Sequence, residues 1–351
     1  MSYAGILDRY GSFLDLPSHV QTVTLLEGNT PLIPVPSLAE EFGGGFELYV
    51  KYEGLNPTGS FKDRGMTAAL SAALGGGAKA VICASTGNTA ASASAYAARA
   101  GIKAIVLIPQ GQVAAGKLAG AVAYGAQVIQ VQGSFDQALE LAVQISEKHP
   151  IALVNSLNPH RLEGQKTAAF EICDDLGRAP DLLCLPVGNA GNISAYWLGF
   201  KQYHAIKQIG LPMLLGVQAE GAAPLVLGHA VDHPETVASA IRIGRPARGE
   251  QALAAAGESG GRIVSASDSD ILAVQARLAG DGIWVEPASA AGLAGLANEL
   301  KAGRLDLSGQ QVVAVCTGHG LKDPEVITKH MPAPQVFPAD LDILVQAIFA
   351  K

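Results

Sequence analysis

One local pattern recurs along the chain. A short run rich in Val, Ile, Leu and Ala ends at a turn of Gly, Asn, Ser or Thr, and an Ala-rich or amphipathic helical stretch follows. Strands that are apolar throughout have two faces to bury. When they alternate with helices, the arrangement that buries both faces is a parallel sheet covered on each side. The expected fold class is therefore α/β. The pattern predicts strands at 46–52, 80–84, 104–108, 127–131, 152–155, 182–186, 213–217 and 312–316. It predicts helices at 89–100, 135–148, 164–176, 191–207, 268–278, 288–301 and 341–349. Sheets of this kind bind ligands beyond the carboxyl ends of their strands, where loops run into helices.

Composition narrows the classes. At about 150 residues per domain, 351 residues make one large domain or two ordinary ones. With 49% hydrophobic and 16% charged residues, the chain is too apolar for intrinsic disorder. The net charge of -7 and the lack of any Lys/Arg block give no footprint for nucleic acid, and an anionic ligand has to be caught by local features. Glycine-rich breaks at 43–45, 75–77 and 257–261 mark loops, none of them a long linker. Two uncharged stretches, 118–135 and 182–200, are interrupted by Gln127, Gln130 and Gln132 and by Pro186, Asn189 and Asn192, so no membrane span is expected. Asp8 and Arg9 and the lack of an apolar run at the N-terminus argue against a secretory leader. Cys83, Cys173, Cys184 and Cys316 are scattered without a CxxC, as expected of buried thiols in a reducing compartment. The expected location is cytoplasmic, and no metal site is expected.

Five segments carry polar chemistry at strand ends or tight turns. In Asn56-Pro57-Thr58-Gly59-Ser60-Phe61-Lys62, Pro57 and Gly59 mark a turn and Ser60 is the expected cap of a helix starting near Phe61. Lys62 then sits in a first turn, where the helix dipole disfavours its charge. It is either a solvated lysine or an amine kept reactive for Schiff-base chemistry. Ser85-Thr86-Gly87-Asn88-Thr89 is either a plain cap or a cup for a carboxylate or other small anion. Gly188-Asn189-Ala190-Gly191-Asn192 lies between a strand and a helix, with two glycines that permit a nest of N–H groups around a phosphate; a structural turn is the alternative. Asn155–Gln165 holds Arg161, suited to a phosphate or carboxylate, or else paired with Glu163 at the surface. Thr317-Gly318-His319-Gly320 offers one hydroxyl at a strand end, or is an ordinary glycine turn. Glu286-Pro287-Ala288-Ser289 reads as a helix start with Pro near its first position. The loops Cys83–Asn88 and Cys184–Asn189 echo each other weakly.

Together these segments resemble the fold-type II pyridoxal-phosphate enzymes, the tryptophan synthase β family, and within it the threonine synthase branch. The resemblance spans residues 26–323 and is most specific over 51–67, KYEGLNPTGSFKDRGMT. It implies two open twisted α/β domains with pyridoxal 5'-phosphate in the cleft between them. The smaller would comprise 54–156 and carry the substrate-carboxylate loop. The larger would comprise 1–53 plus 157–351 and carry the cofactor-phosphate loop. By resemblance, Lys62 is the catalytic lysine that binds the cofactor covalently, and Asn88 contacts the cofactor's 3'-oxygen. Gly188, Asn189, Ala190, Gly191 and Asn192 hold its phosphate, and Thr317 meets the pyridine nitrogen. A neutral Thr there favours elimination and replacement over reactions that need the strongest electron sink.

The residues after Lys62, Asp63-Arg64-Gly65-Met66-Thr67, and the GNAGN loop match the threonine synthase pattern. The implied substrate is O-phospho-L-homoserine. Its carboxylate would be received by Ser85, Thr86, Asn88 and Thr89, and its phosphate by Ser156, Arg161 and Asn189. The implied reaction removes protons from Cα and Cβ, expels the γ-phosphate and adds water at Cβ, with Lys62 moving the protons, to give L-threonine and phosphate. The family analogy also implies a homodimer. The core pattern already begins at Gly28-Asn29-Thr30-Pro31-Leu32, so activation by S-adenosylmethionine through a long plant-type N-terminal extension is not expected. The competing readings are a threonine/serine dehydratase of the same fold, which needs no substrate-phosphate site, and a non-catalytic cofactor-binding protein. Arg161 separates the first from a threonine synthase, and the intact set of Lys62, Asn88 and Thr317 opposes the second.

Overall fold

A computed structural model describes residues 2–18, 20–111, 115–329 and 332–349. Its strands are β1 (Leu32–Pro34), β2 (Glu47–Tyr52), β3 (Ala80–Ala84), β4 (Lys103–Pro109), β5 (Gln127–Val131), β6 (Ile151–Leu153), β7 (Leu182–Pro186), β8 (Met213–Ala219), β9 (Arg262–Ala266) and β10 (Gln311–Cys316). They form two sheets: six strands in the order β1-β2-β10-β7-β8-β9 and four in the order β5-β4-β3-β6. Every pairing is parallel except β1 with β2. β3 and β7 lie inside their sheets and are buried at all five positions, which explains their unbroken apolar sequences. No helix among the described residues is long and apolar enough to cross a membrane. All four cysteines are free and buried, as expected.

The differences from the sequence reading have physical causes. β1 is a three-residue antiparallel edge strand beginning beside Pro31, too short to show any period. β9 begins with an exposed Arg and is only half-buried along most of its length, so its apolar run is weak. A helix, Gly249–Glu258, runs into the glycine-rich stretch expected to be loop, and another, Ala115–Ala123, starts ahead of the uncharged stretch. The helix expected from 164 starts at His160, because the Asn158 side chain accepts the His160 N–H at 3.0 Å and starts the turn four residues early. Arg161 therefore lies within a helix and not in the loop before it.

Three helices approach so closely that only glycine fits at their crossings. A Cβ on Gly164 of the His160–Leu176 helix would lie 1.8 Å from the Arg64 carbonyl oxygen. One on Gly65 of the Lys62–Gly75 helix would lie 2.9 Å from the Arg161 carbonyl oxygen. One on Gly199 of the Gly191–Lys207 helix would lie 2.5 Å from the Lys166 carbonyl oxygen. Three helices that carry Lys62, Arg161 and the GNAGN turn are thus packed backbone against backbone.

A buried ion network locks the same junction. Arg64 reaches Glu53 through Nε and Nη2, both at 2.7 Å, and Glu171 through Nη1 at 2.9 Å and Nη2 at 2.6 Å. Lys51 meets Glu171 at 3.0 Å and donates to the Thr30 carbonyl at 2.7 Å. Burial acts to raise the Glu171 carboxyl, but Arg64, and then Lys51, override it and bring it down to about 2. Two buried cations face two buried carboxylates, so removing one partner strands a charge without solvent. Arg64→Ala should cost about 3–5 kcal/mol of stability in urea unfolding. A loss below about 1 kcal/mol would contradict this account of the junction. Because the Glu171 carboxyl is depressed when folded, its contribution is present above its ordinary value and is lost as pH falls toward about 2.

Candidate active site

The Lys62 segment is fixed from both sides. Gly59 has φ +84, a conformation that favours glycine, and its N–H closes the turn onto the Asn56 carbonyl at 2.8 Å. The buried Asp63 carboxylate accepts the Thr58 N–H (2.7 Å), the Thr58 hydroxyl (2.6 Å) and the Ser92 hydroxyl (2.6 Å). Burial pushes its carboxyl up to about 6 against the pull of these three bonds. Ser60 does not cap the helix as expected. Its backbone bridges to Gly318, its carbonyl takes the Asp63 N–H, and its buried hydroxyl has no partner. Phe61 is the capping position, and the helix begins at Lys62. The Lys62 amine lies 4.0 Å from the Phe61 ring centroid and, among the described residues, pairs with no carboxylate. Desolvation, and then the positive charge of Arg161, bring it down to about 7 against the opposing pull of Glu286.

Beside Lys62, three loops are stitched by backbone hydrogen bonds at the carboxyl end of β10. The Phe61 N–H donates to the Thr317 carbonyl (3.0 Å), the His319 N–H to Gly59 (2.9 Å), the Glu286 N–H to Gly318 (3.1 Å) and the Gly320 N–H to Trp284 (3.0 Å). Thr317 is buried, and its hydroxyl lies 2.9 Å from the Ser289 hydroxyl, which also accepts the Gly318 N–H at 2.8 Å. Ser289 and Glu286 are site residues that the sequence reading missed. Pro287 drew attention to a helix start, while the signal for function is spatial: β10 delivers residue 317 against residues 286–289.

β7 pairs with β10 in parallel, so the 188–192 turn opens at the same sheet end as Thr317. Ala190 adopts φ +65 as it enters the Gly191–Lys207 helix, and Gly188 has room for no side chain, since a Cβ there would lie 3.0 Å from Ile241 Cα. The result is a tight turn at a helix N-terminus, suited to an anion. The buried Asn192 Nδ2 has no partner.

The smaller sheet supplies the remaining residues. β3 and β6 are paired, and Asn155 clamps their ends, accepting the Ala84 N–H at 2.9 Å and donating to the Ala84 carbonyl at 2.8 Å. This sets the 85–87 loop, with Asn88 and Thr89 at the start of the helix that follows it, beside the 155–159 loop that leads into the helix of Arg161. Asn88 is the first residue of the Asn88–Ala100 helix, and its Nδ2 lies 3.1 Å from each oxygen of the Glu286 carboxylate. Burial raises that carboxyl to about 6, opposed by the Asn88 bond and the charge of Lys322. Arg161 is almost fully buried; its Nη1 donates to the Val154 carbonyl at 3.2 Å, and its Nε has no partner. The expected alternative, a surface pair with Glu163, does not form; Glu163 pairs with Lys166. Lys62, Asn88, Thr317, Glu286 and Arg161 are therefore linked by contact or by charge. Ser156 and Asn189 approach through a different residue group, the 247–248 loop.

The donor set fits pyridoxal phosphate: a desolvated amine, a tight turn at a helix N-terminus with an orphan amide, and a neutral hydroxyl at a strand end. Residues 23–318 match the family model described as pyridoxal-phosphate dependent enzyme. The chain is 56% identical over 328 residues to a threonine synthase of Synechocystis sp., covering 92% of this chain and 84% of that protein. It is 53% identical over 340 residues to a threonine synthase of Halalkalibacterium halodurans, covering 96% and 95%. Among solved structures, maize serine racemase matches with a TM-score of 0.74 over 93% of this chain and 97% of that one, at 20% identity, a likeness of fold alone.

The position of Lys62 sets a measurable value. In cofactor-stripped protein, acylation of Lys62 followed by mass spectrometry should rise through about pH 7. Arg161→Ala, which removes a like charge, should move that midpoint upward. A midpoint at the ordinary lysine value of about 10.4 would contradict the desolvated amine.

Proposed function

The chain belongs to the pyridoxal-phosphate dependent enzyme family, and from that premise we infer that it works as a threonine synthase, converting O-phospho-L-homoserine and water to L-threonine and phosphate. The observation that carries the choice within the family is Arg161. A buried guanidinium with no carboxylate partner and a free Nε, close enough to Lys62 to depress its amine, is costly unless an anion arrives. A substrate phosphate is such an anion. An unphosphorylated hydroxyamino acid gives Arg161 no partner.

Bound in the cleft, the cofactor supplies the electron sink for the reaction. Lys62 holds it and, with an amine that is substantially neutral near pH 7, takes and returns the protons at Cα and Cβ. Asn88, steadied by Glu286, would hold the cofactor's 3'-oxygen. Gly188, Asn189, Ala190, Gly191 and Asn192 would bind its phosphate, and the Thr317 hydroxyl, backed by Ser289, would meet the ring nitrogen. Thr317 offers a neutral hydroxyl and not a carboxylate at that position, which would suit elimination and hydration. Ser85, Thr86, Asn88 and Thr89 take the substrate carboxylate with the free N–H groups of the Asn88–Ala100 helix. Ser156, Arg161 and Asn189 take its phosphate.

The same reading divides the chain into a smaller unit, 54–156, and a larger one, 1–53 plus 157–351; all four strands of the smaller sheet fall in the first. It includes a homodimer, a cytoplasmic location and a small-molecule partner in place of nucleic acid or membrane, a choice that the net charge of -7 favours.

Arg161→Ala tests the reading. It should lower kcat/KM for O-phospho-L-homoserine about 100-fold, the equivalent of two charge-assisted hydrogen bonds. L-threonine deamination that is the stronger activity of the wild type and survives Arg161→Ala would assign the chain to the dehydratases instead.

A further inference from the structure

Resting on the phosphate-substrate reading above, we propose that Arg248 is a second phosphate-gripping side chain, joining Arg161 on the substrate phosphate and setting specificity for phosphorylated substrates. The geometry has three parts. Both guanidiniums hang from one short loop: Arg161 Nη1 donates to the Val154 carbonyl at 3.2 Å, and Arg248 Nε to the Ser156 carbonyl at 3.2 Å. Among the described residues neither forms an ion pair, although this chain has 31 acidic against 24 basic residues. Three residues earlier, Arg245 does find an acid, Asp232, at 2.7 Å. The third part is the setting. Arg248 caps the Gly249–Glu258 helix, and the adjacent Ala247 N–H lies 3.5 Å from Asn189 Oδ1, so this loop borders the GNAGN turn.

Two unpaired cations converging on one loop repel each other. Burial and the Arg248 charge bring Arg161 down to about 10, with Cys83 opposing. A phosphate monoester carries about -1.5 to -2 at neutral pH, so one arginine leaves part of its charge unmatched and two balance it. Arg161 is buried, with Nη1 on the Val154 carbonyl. Arg248 is half-exposed, with Nη1 on Gln251 at 3.0 Å and, among the described residues, no hydrogen bond from Nη2, which leaves it able to swing onto a bound anion.

The test titrates inorganic phosphate into the cofactor-loaded protein by calorimetry and measures KM and kcat for O-phospho-L-homoserine. The proteins are wild type, Arg248→Ala, Arg248→Lys and Arg245→Ala. For Arg248→Ala, the phosphate Kd and the KM should both rise about tenfold, the value of one hydrogen bond to a charged group, while kcat falls no more than a few-fold. Arg248→Lys should recover part of the loss, and Arg245→Ala should match the wild type. An Arg248→Ala protein that binds phosphate as the wild type does overturns the proposal, as does a wild type that binds no phosphate. A wild type that fails to turn over O-phospho-L-homoserine, while Arg248→Ala still weakens phosphate binding, removes the assigned reaction and leaves the anion site standing.

Discussion

Arg64 is the interaction on which the site depends. It lies two residues beyond Lys62 in the same helix, and its guanidinium is shared between Glu53 beside β2 and Glu171, ten residues beyond Arg161 on another helix. Each charge in the network is buried, so none can turn to water if a partner shifts. The glycine crossings at Gly65 and Gly164 permit that approach, and the ion network sets its register. Lys62 and Arg161 are thereby held at a fixed separation, and the chemistry at both is a consequence.

That separation explains an amine that titrates far below an ordinary lysine. Desolvation does most of it, and Arg161 adds to it. An anion arriving on Arg161 offsets the like charge that lowers the amine, so substrate binding and lysine basicity are coupled through one guanidinium. Glu286 works in the opposite sense from the far side while holding the Asn88 amide. Three of the buried polar atoms left without partners, Ser60 Oγ, Asn192 Nδ2 and Arg161 Nε, lie in the segments that the candidate site uses.

Much of this was legible in the sequence, for identifiable reasons. β3, β5 and β7 fall at their expected bounds, because strands followed by glycine or polar turns carry their own punctuation. The Gly191–Lys207 helix was equally plain after its GNAGN turn. The polar segments at the strand ends were visible for the same reason. What stayed hidden was set by tertiary contact. Gly65, Gly164 and Gly199 sit inside helices, where sequence reading counts glycine as a weakness and cannot see the backbone that it admits. Ser60 had the composition of a cap, but the strand-like bridge to Gly318 claimed its backbone. Glu286 and Ser289 come from a helix start far along the chain and join the candidate site only through the contacts made at the end of β10.

The central claim is that this constellation hydrates a phosphorylated homoserine to threonine. The most direct test incubates cofactor-loaded protein with O-phospho-L-homoserine and follows phosphate and amino acids together. The account predicts phosphate and L-threonine in equal amounts. Phosphate with 2-oxobutanoate and no threonine, or consumption of L-threonine with the phosphorylated substrate untouched, would contradict it.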